Sequence, residues 1–228
     1  HLVFVLSFTS TRTTPDQVTE TGYYTPLPLT HLSSLPPPPL SLRPPSSPAL
    51  AQTLTQSEFY AASWEVVNSP STSVTKWGPI EDWDTSGVPS FEDAFATTRN
   101  EAGGFSNNGN PKAAAFNGDI SKCITSSVTS LSRTFSEAAA FNSDISKWIT
   151  SSVTSLVDTF VMAAAFNSDM SKWITSSVTY MGYTFYKAAS FTGTGVDLWN
   201  INKVKKMGDI FDDAIALTSC NKRKIADA

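Results

Sequence analysis

The sequence predicts an α/β repeat solenoid of about five units, each a short parallel strand followed by a short helix. Three observations carry that expectation. Phe116, Phe141, Phe166 and Phe191 open successive copies of one motif at a constant spacing of 25 residues. Over its first sixteen positions, the copy from Phe141 departs from the one before only at Gly118/Ser143 and Cys123/Trp148. It departs from the one after only at Ile145/Met170, Ser155/Tyr180 and Leu156/Met181. A wider apolar frame contains these copies: the intervals 5, 3 and 4 that join Trp83, Val88, Phe91 and Phe95 recur from Trp148 to Phe160, from Trp173 to Phe185 and from Trp199 to Phe211. Self-similarity at a period of this size marks an array in which each unit leans on its neighbours.

Within one unit, Val153, Leu156, Phe160 and Ala163/Ala164 share a helical stripe, and Ser151 or Ser152 stands where an N-cap belongs. Upstream, the segment from Asp144 to Trp148 is too short for a helix and reads as a strand. It would stack in parallel on its counterparts at roughly 4.8 Å. Burying the unit's large apolar side chains contributes on the order of 2 kcal/mol each, against a backbone entropy cost of roughly 1–2 kcal/mol per ordered residue. A single copy cannot fold alone; the array can.

The chain around this array is uneven. Ten of the 14 prolines lie within residues 1–57, where only Arg12, Asp16, Glu20 and Arg43 are charged. That composition reads as an extended or disordered leader or stalk, with Pro36–Pro39 as a run able to adopt a polyproline helix. Because the chain opens on His1, it is expected to lack its natural start. LVFVLSF, residues 2–8, has the length of a signal-peptide core but neither a basic flank nor a small-residue cleavage site. Residues 58–76, with Phe59, Tyr60, Trp64, Val66 and Val67, read as a short amphipathic N-terminal cap. The repeat array spans 77–214, with a Gly/Asn-rich insertion at 96–115 forming a surface loop, and 215–228 is a tail. No stretch approaches the ~18–20 apolar residues of a transmembrane helix.

The pattern FNxDISxW…SSVTxL/MxxTF, led in by WGPIEDWDTS, resembles the BspA-like leucine-rich-repeat surface proteins. More narrowly, it is similar to the 25-residue repeat of a mycoplasma-type domain of unknown function. The resemblance implies a leucine-rich-repeat-like solenoid, a cell-surface or secreted location (the alternative being cytoplasmic), and adhesion or protein binding. It carries no catalytic residues.

The residues themselves give no sign of an enzyme. Both histidines, His1 and His31, lie in the leader, so the repeats hold no Ser-His-Asp, Cys-His or histidine metal arrangement. Cys123 stands where sister copies have Trp and reads as a small buried hydrophobe; with Cys220 it makes no disulfide framework. The formal charge of −4 gives no electrostatic case for nucleic acid, and the KVKK (203–206) and KRK (222–224) runs read as solvated surface.

One constellation remains: Asp119, Asp144 and Asp169 form an acidic ladder. Each is expected to cap a turn and pair with Lys122, Lys147 or Lys172, or alternatively the ladder is bridged by Ca²⁺. Asn117, Asn142 and Asn167 form a second ladder, expected to satisfy backbone groups of the turns. The functional expectation is a non-enzymatic interaction or adhesion module without cofactor or metal. It would bind a protein or glycan through a repetitive Ser/Thr-rich face that includes Ser126/Ser127, Ser151/Ser152 and Ser176/Ser177. The alternative is a carbohydrate-binding or Ca²⁺-dependent adhesion module using the Asp ladder.

Overall fold

The computed structural model describes residues 53–106 and 109–219, all within one compact unit, Ser47–Ala228. The apolar run at 2–8, Pro36–Pro39, Cys220 and the KRK run lie outside the described residues.

The 25-residue units do stack in register, but they are not built of strands and helices. The described part of residues 83–218 holds no α-helix; α1 (Gln56–Asn68) and α2 (Pro70–Trp77) both lie ahead of the repeats. Short 3₁₀ turns occur at Ile80–Asp82, Pro111–Ala115 and Val196–Leu198. The expected α/β solenoid of strand-plus-helix repeats is therefore overturned. The segment read as a strand, 144–148, is an irregular turn, and the stretch read as a helix is where neighbouring units pair. Parallel bridges join Ser90, Ser130, Ser155, Tyr180 and Lys206 in series, one bridging residue per unit and too few to make a strand.

The hydrogen bonds show why the helix does not form. In the third unit the N–H groups of Leu156, Asp158, Phe160 and Met162 donate across to Tyr180, Gly182, Thr184 and Tyr186 of the next unit at 2.8–3.1 Å. The interleaved N–H groups of Thr159, Val161 and Ala163 close tight turns onto Leu156, Asp158 and Phe160. A helix would direct all of these bonds within the segment; here alternate ones point to the neighbour. The geometry requires left-handed backbone at Asp158 and Met162 (φ 56° and 55°), and the same holds at Arg133 and Glu137, at Tyr183 and Lys187, and at Asp209 and Asp213. Such a conformation costs about 1–2 kcal/mol per non-glycine residue, and the ladder of bonds between units offsets it. Ser151 and Ser152 consequently cap no helix.

Side chains lock the layers. The apolar frame read from the sequence forms one core running along the stack. Phe135, Phe160, Phe185 and Phe211 stack face to face at 5.5–5.7 Å, and Phe141, Phe166 and Phe191 at 5.9–6.0 Å. The Trp148 and Trp173 indoles donate to the Ile120 and Ile145 carbonyls of the preceding layer, at 3.0 and 3.2 Å. Thr159 and Thr184, fully buried, each donate to a carbonyl of the preceding layer and share a second within their own turn. Leu217 takes the slot held elsewhere by the opening Phe and is buried.

The first layer is closed by the helices. Thr55 and Glu58 form a capping box on α1. Phe59 lies on Phe91 at 4.4 Å. Gln56 pairs its amide with both backbone groups of Ser90, donating at 2.8 Å and accepting at 3.0 Å, as a further layer would. Thr53 and Leu54 already belong to the packed unit, pairing with Asp84. The insertion is held by Arg99, a wholly buried cation that donates to Ser63 Oγ at 2.7 Å and to the Ala94 and Tyr60 carbonyls. Burial pulls its guanidinium down to about 10, still charged at neutral pH.

Candidate functional site: a repetitive lateral face

The Trp of each layer points into the core, so the residue after it points out. Ile124, Ile149 and Ile174 follow Cys123, Trp148 and Trp173 and form a column of apolar side chains, 43%, 51% and 51% exposed. Isoleucine at half exposure in three successive layers is an apolar stripe in register rather than scattered surface. Its backbone is fixed by the threonine that follows each isoleucine. Thr125 and Thr150 accept from the N–H groups of Ile149 and Ile174 at 2.7 and 2.8 Å, and Thr150 donates to the Ile174 carbonyl at 3.1 Å.

Beside the column lie the serine pairs of the expected Ser/Thr face. Ser152 and Ser177 donate to the Ser126 and Ser151 carbonyls of the preceding layer, at 3.2 and 2.9 Å. The second serine of the third and fourth layers is thus held by the layer below, while the isoleucines are bare. The isoleucine column was not singled out in the sequence because it lies outside the 5-3-4 frame. Its constant position after Trp was the available signal.

The carboxylates of the acidic ladder are occupied singly. Asp119, Asp144 and Asp169 each accept the N–H of the serine two residues on, at 2.8–3.0 Å. The backbone bond from Ser121 holds the Asp119 carboxyl below its usual range, and hydrogen bonds from Ser146 do so for Asp144. Among the described residues no ion pair joins these aspartates to a lysine, and no group of three or more His, Cys, Asp or Glu side chains is placed to hold a metal ion. The asparagine ladder crosses layers: Asn117 and Asn142 accept the N–H of Asn142 and Asn167, at 2.8 Å each. Cys123 is buried, which pushes its thiol up to about 12, so it is no nucleophile at neutral pH.

A separate open groove of about 860 Å³ lies between the insertion and the second and third layers, lined by Thr97, Phe105, Arg133, Glu137, Asp158 and Val161 among others. Arg133 is neutralised there by Asp93, gripped at 2.8 and 3.0 Å, and by Glu92 at 2.7 Å. Partial burial pushes the Asp158 carboxyl up, opposed by Arg133. In the same groove the Thr97 hydroxyl donates to the Glu137 carboxylate at 2.7 Å.

Residues 105–223 match the model of the family described as "Mycoplasma protein of unknown function, DUF285". The chain belongs to this family. The match bears out the narrower of the two resemblances, to a mycoplasma-type repeat, and does not extend to the BspA-like assignment. No curated protein and no solved structure matches the chain. Among the described residues, no helix is long and apolar enough to cross a membrane.

Proposed function

We propose that the protein is a non-enzymatic interaction module that binds a protein partner through the lateral face carrying Ile124, Ile149 and Ile174. The reading rests on the isoleucine column, an apolar stripe in register whose backbone is bonded between layers, flanked by Ser152 and Ser177, whose hydroxyls are already bonded. An apolar stripe on a preordered backbone binds without a large ordering cost, and repetition suits it to an extended or repetitive partner. Neither the buried Cys123 nor the Arg133 cluster offers a reacting group, which supports the non-catalytic reading. A cell-surface or secreted location and kinship with BspA-like adhesion proteins belong to the same proposal.

The test is an array of purified extracellular proteins and glycans, probed with the wild-type chain and with a triple variant, Ile124→Asp, Ile149→Asp and Ile174→Asp. Because these side chains point to solvent, the variant keeps its circular dichroism spectrum. Protein signals present for wild type and lost in the variant support the proposal. Signals confined to glycans, or unchanged by the variant, overturn it.

A further inference from the structure

The copies of the repeat do not differ at random. Aligned from Phe116, Phe141 and Phe166, they carry three different residues at only four of their 25 positions. These are Ser132/Val157/Gly182, Arg133/Asp158/Tyr183, Ser136/Val161/Tyr186 and Glu137/Met162/Lys187. Exposed positions elsewhere, among them Asp119/Asp144/Asp169, Lys122/Lys147/Lys172 and the isoleucine column, hold one residue throughout. Freedom from packing does not explain the contrast, because exposed positions tolerate substitution on every face alike.

Two of the variable columns, those of Arg133 and Glu137, have left-handed backbone in all three layers, with φ of 53–60°. Glycine takes that conformation without strain, yet the six residues are Arg, Asp, Tyr, Glu, Met and Lys. Each costs about 1–2 kcal/mol there. Large and chemically distinct side chains are thus kept where stability alone favours glycine, a pattern that points to function. Three of the four columns line the open groove of about 860 Å³, through Arg133 and Asp158, Ser136 and Val161, and Glu137. The insertion forms its other wall, and in repeat arrays insertions gather on the binding face.

The chemistry of the groove defines its occupant. Its guanidinium, Arg133, is already held by Glu92 and Asp93. Asp158, partly buried, is joined to no cation by an ion pair among the described residues. Glu137 adds a second carboxylate, and Phe105, 59% exposed, and Val161 supply apolar surface. In the next layer the same columns carry the exposed Tyr183, with Tyr186 against it at 5.7 Å. A cation is therefore favoured over Asp158 and an apolar or aromatic group over Tyr183. The stacked phenylalanines of successive layers lie 5.5–5.7 Å apart. Alternate side chains of an extended peptide lie roughly 6.6 Å apart, close to one layer.

We propose that this groove docks an extended segment of another protein that runs along the stack. A basic side chain of the segment sits on Asp158, and an apolar or aromatic one two residues away sits on Tyr183. The four variable columns are the specificity determinants: the invariant positions build a common scaffold, and these select the partner by charge and shape. The surface shares no residue with the isoleucine column and stands independently of it.

The probe is a phage-displayed library of random nine-residue peptides selected on the full chain. Enriched peptides are then synthesised and titrated by fluorescence anisotropy. They should carry Arg or Lys two residues from Leu, Phe, Tyr or Trp. Asp158→Asn keeps a residue suited to left-handed backbone and should weaken their binding by about tenfold or more. Asp158→Glu, which restores the charge, should recover part of that loss, a result that misfolding cannot produce. Tyr183→Asn/Tyr186→Val, whose valine is the third layer's own residue at that position, should weaken binding to a similar degree. The triple isoleucine variant should bind the same peptides as wild type does. Absence of enrichment, enriched peptides without a basic residue, affinity indifferent to Asp158→Asn, or loss confined to the isoleucine variant would each overturn the proposal. So would a glycan that binds the chain and is lost in the Asp158 and tyrosine variants. Equally tight binding by a synthetic peptide of residues 36–48 or 220–228 would overturn it too, by making the chain its own occupant.

Discussion

Phe160→Ala tests the central physical claim, that stability resides in contacts between layers. Phe160 is fully buried and sandwiched between Phe135 at 5.6 Å and Phe185 at 5.5 Å, with Phe166 at 3.8 Å on its flank. Truncating a core Phe to Ala costs about 3–5 kcal/mol, and each lost ring pair is worth about 0.5–1.5 kcal/mol beyond area burial. The neighbouring rings are themselves held by further rings, so the cavity cannot collapse, and the expected loss is about 4–5 kcal/mol, the upper part of that range. Phe211 is the same residue at the equivalent position of the fifth layer, yet among the described residues it stacks on Phe185 alone and is 9% exposed where Phe160 is 0%. Phe211→Ala should cost about 3 kcal/mol, the lower end of that range, since it forfeits a single ring contact. Urea unfolding at 25 °C followed by tryptophan fluorescence gives both values from the midpoints at a common slope. Equal losses for the two variants would refute the reasoning, because they would mean that a ring's cost is set within its own layer.

Three further predictions address the cap, the turns and the acid limb. Arg99→Ala leaves the Ala94 carbonyl unpaired under α1 and strips a donor from the Tyr60 carbonyl and Ser63 Oγ, and should destabilise by about 3 kcal/mol. Arg99→Lys should recover less than half, because an ammonium cannot reproduce the planar fork; thermal melts of the pair decide it. Met162 is left-handed and exposed, so Met162→Gly should stabilise by roughly 0.5 kcal/mol, relieved strain outweighing the flexibility gained by the unfolded chain. Met162→Val should destabilise by about 1 kcal/mol or more, since a β-branched residue tolerates that backbone worst. Asp119 and Asp144 have folded-state carboxyls held below their unfolded range. Their contribution is complete above the unfolded value near pH 4 and is lost as pH falls through the lower folded values. The melting temperature of Asp119→Asn/Asp144→Asn should therefore lie below wild type at pH 7 and converge on it near pH 2; a gap that widened on acidification would contradict this sign.

Much of the architecture was present in the sequence. The 25-residue period and the 5-3-4 frame named the buried residues, and Phe59 with its neighbours pointed to a covered first layer. The asparagine ladder was also readable, because an amide at a fixed register position can satisfy the next turn's N–H. The type of local structure was not. The spacing of Val153, Leu156, Phe160 and Ala163 fits a helical stripe and fits a run of tight turns equally well, since both bring those side chains to one side. The choice depends on where alternate N–H groups find acceptors, and those acceptors lie in the next layer, as in Leu156 to Tyr180. A bond across 24 residues leaves no mark on a local window of sequence, and left-handed backbone at Met162 or Lys187 contradicts their local preference outright. Exposure was decided in the same way. Ile149 and Val153 are equally apolar as letters; stacking turned one to solvent and the other to the core. The sequence by itself determined the period and the composition of each layer. The contacts between layers, which exist only once the chain is folded, determined the backbone conformation and the isoleucine column.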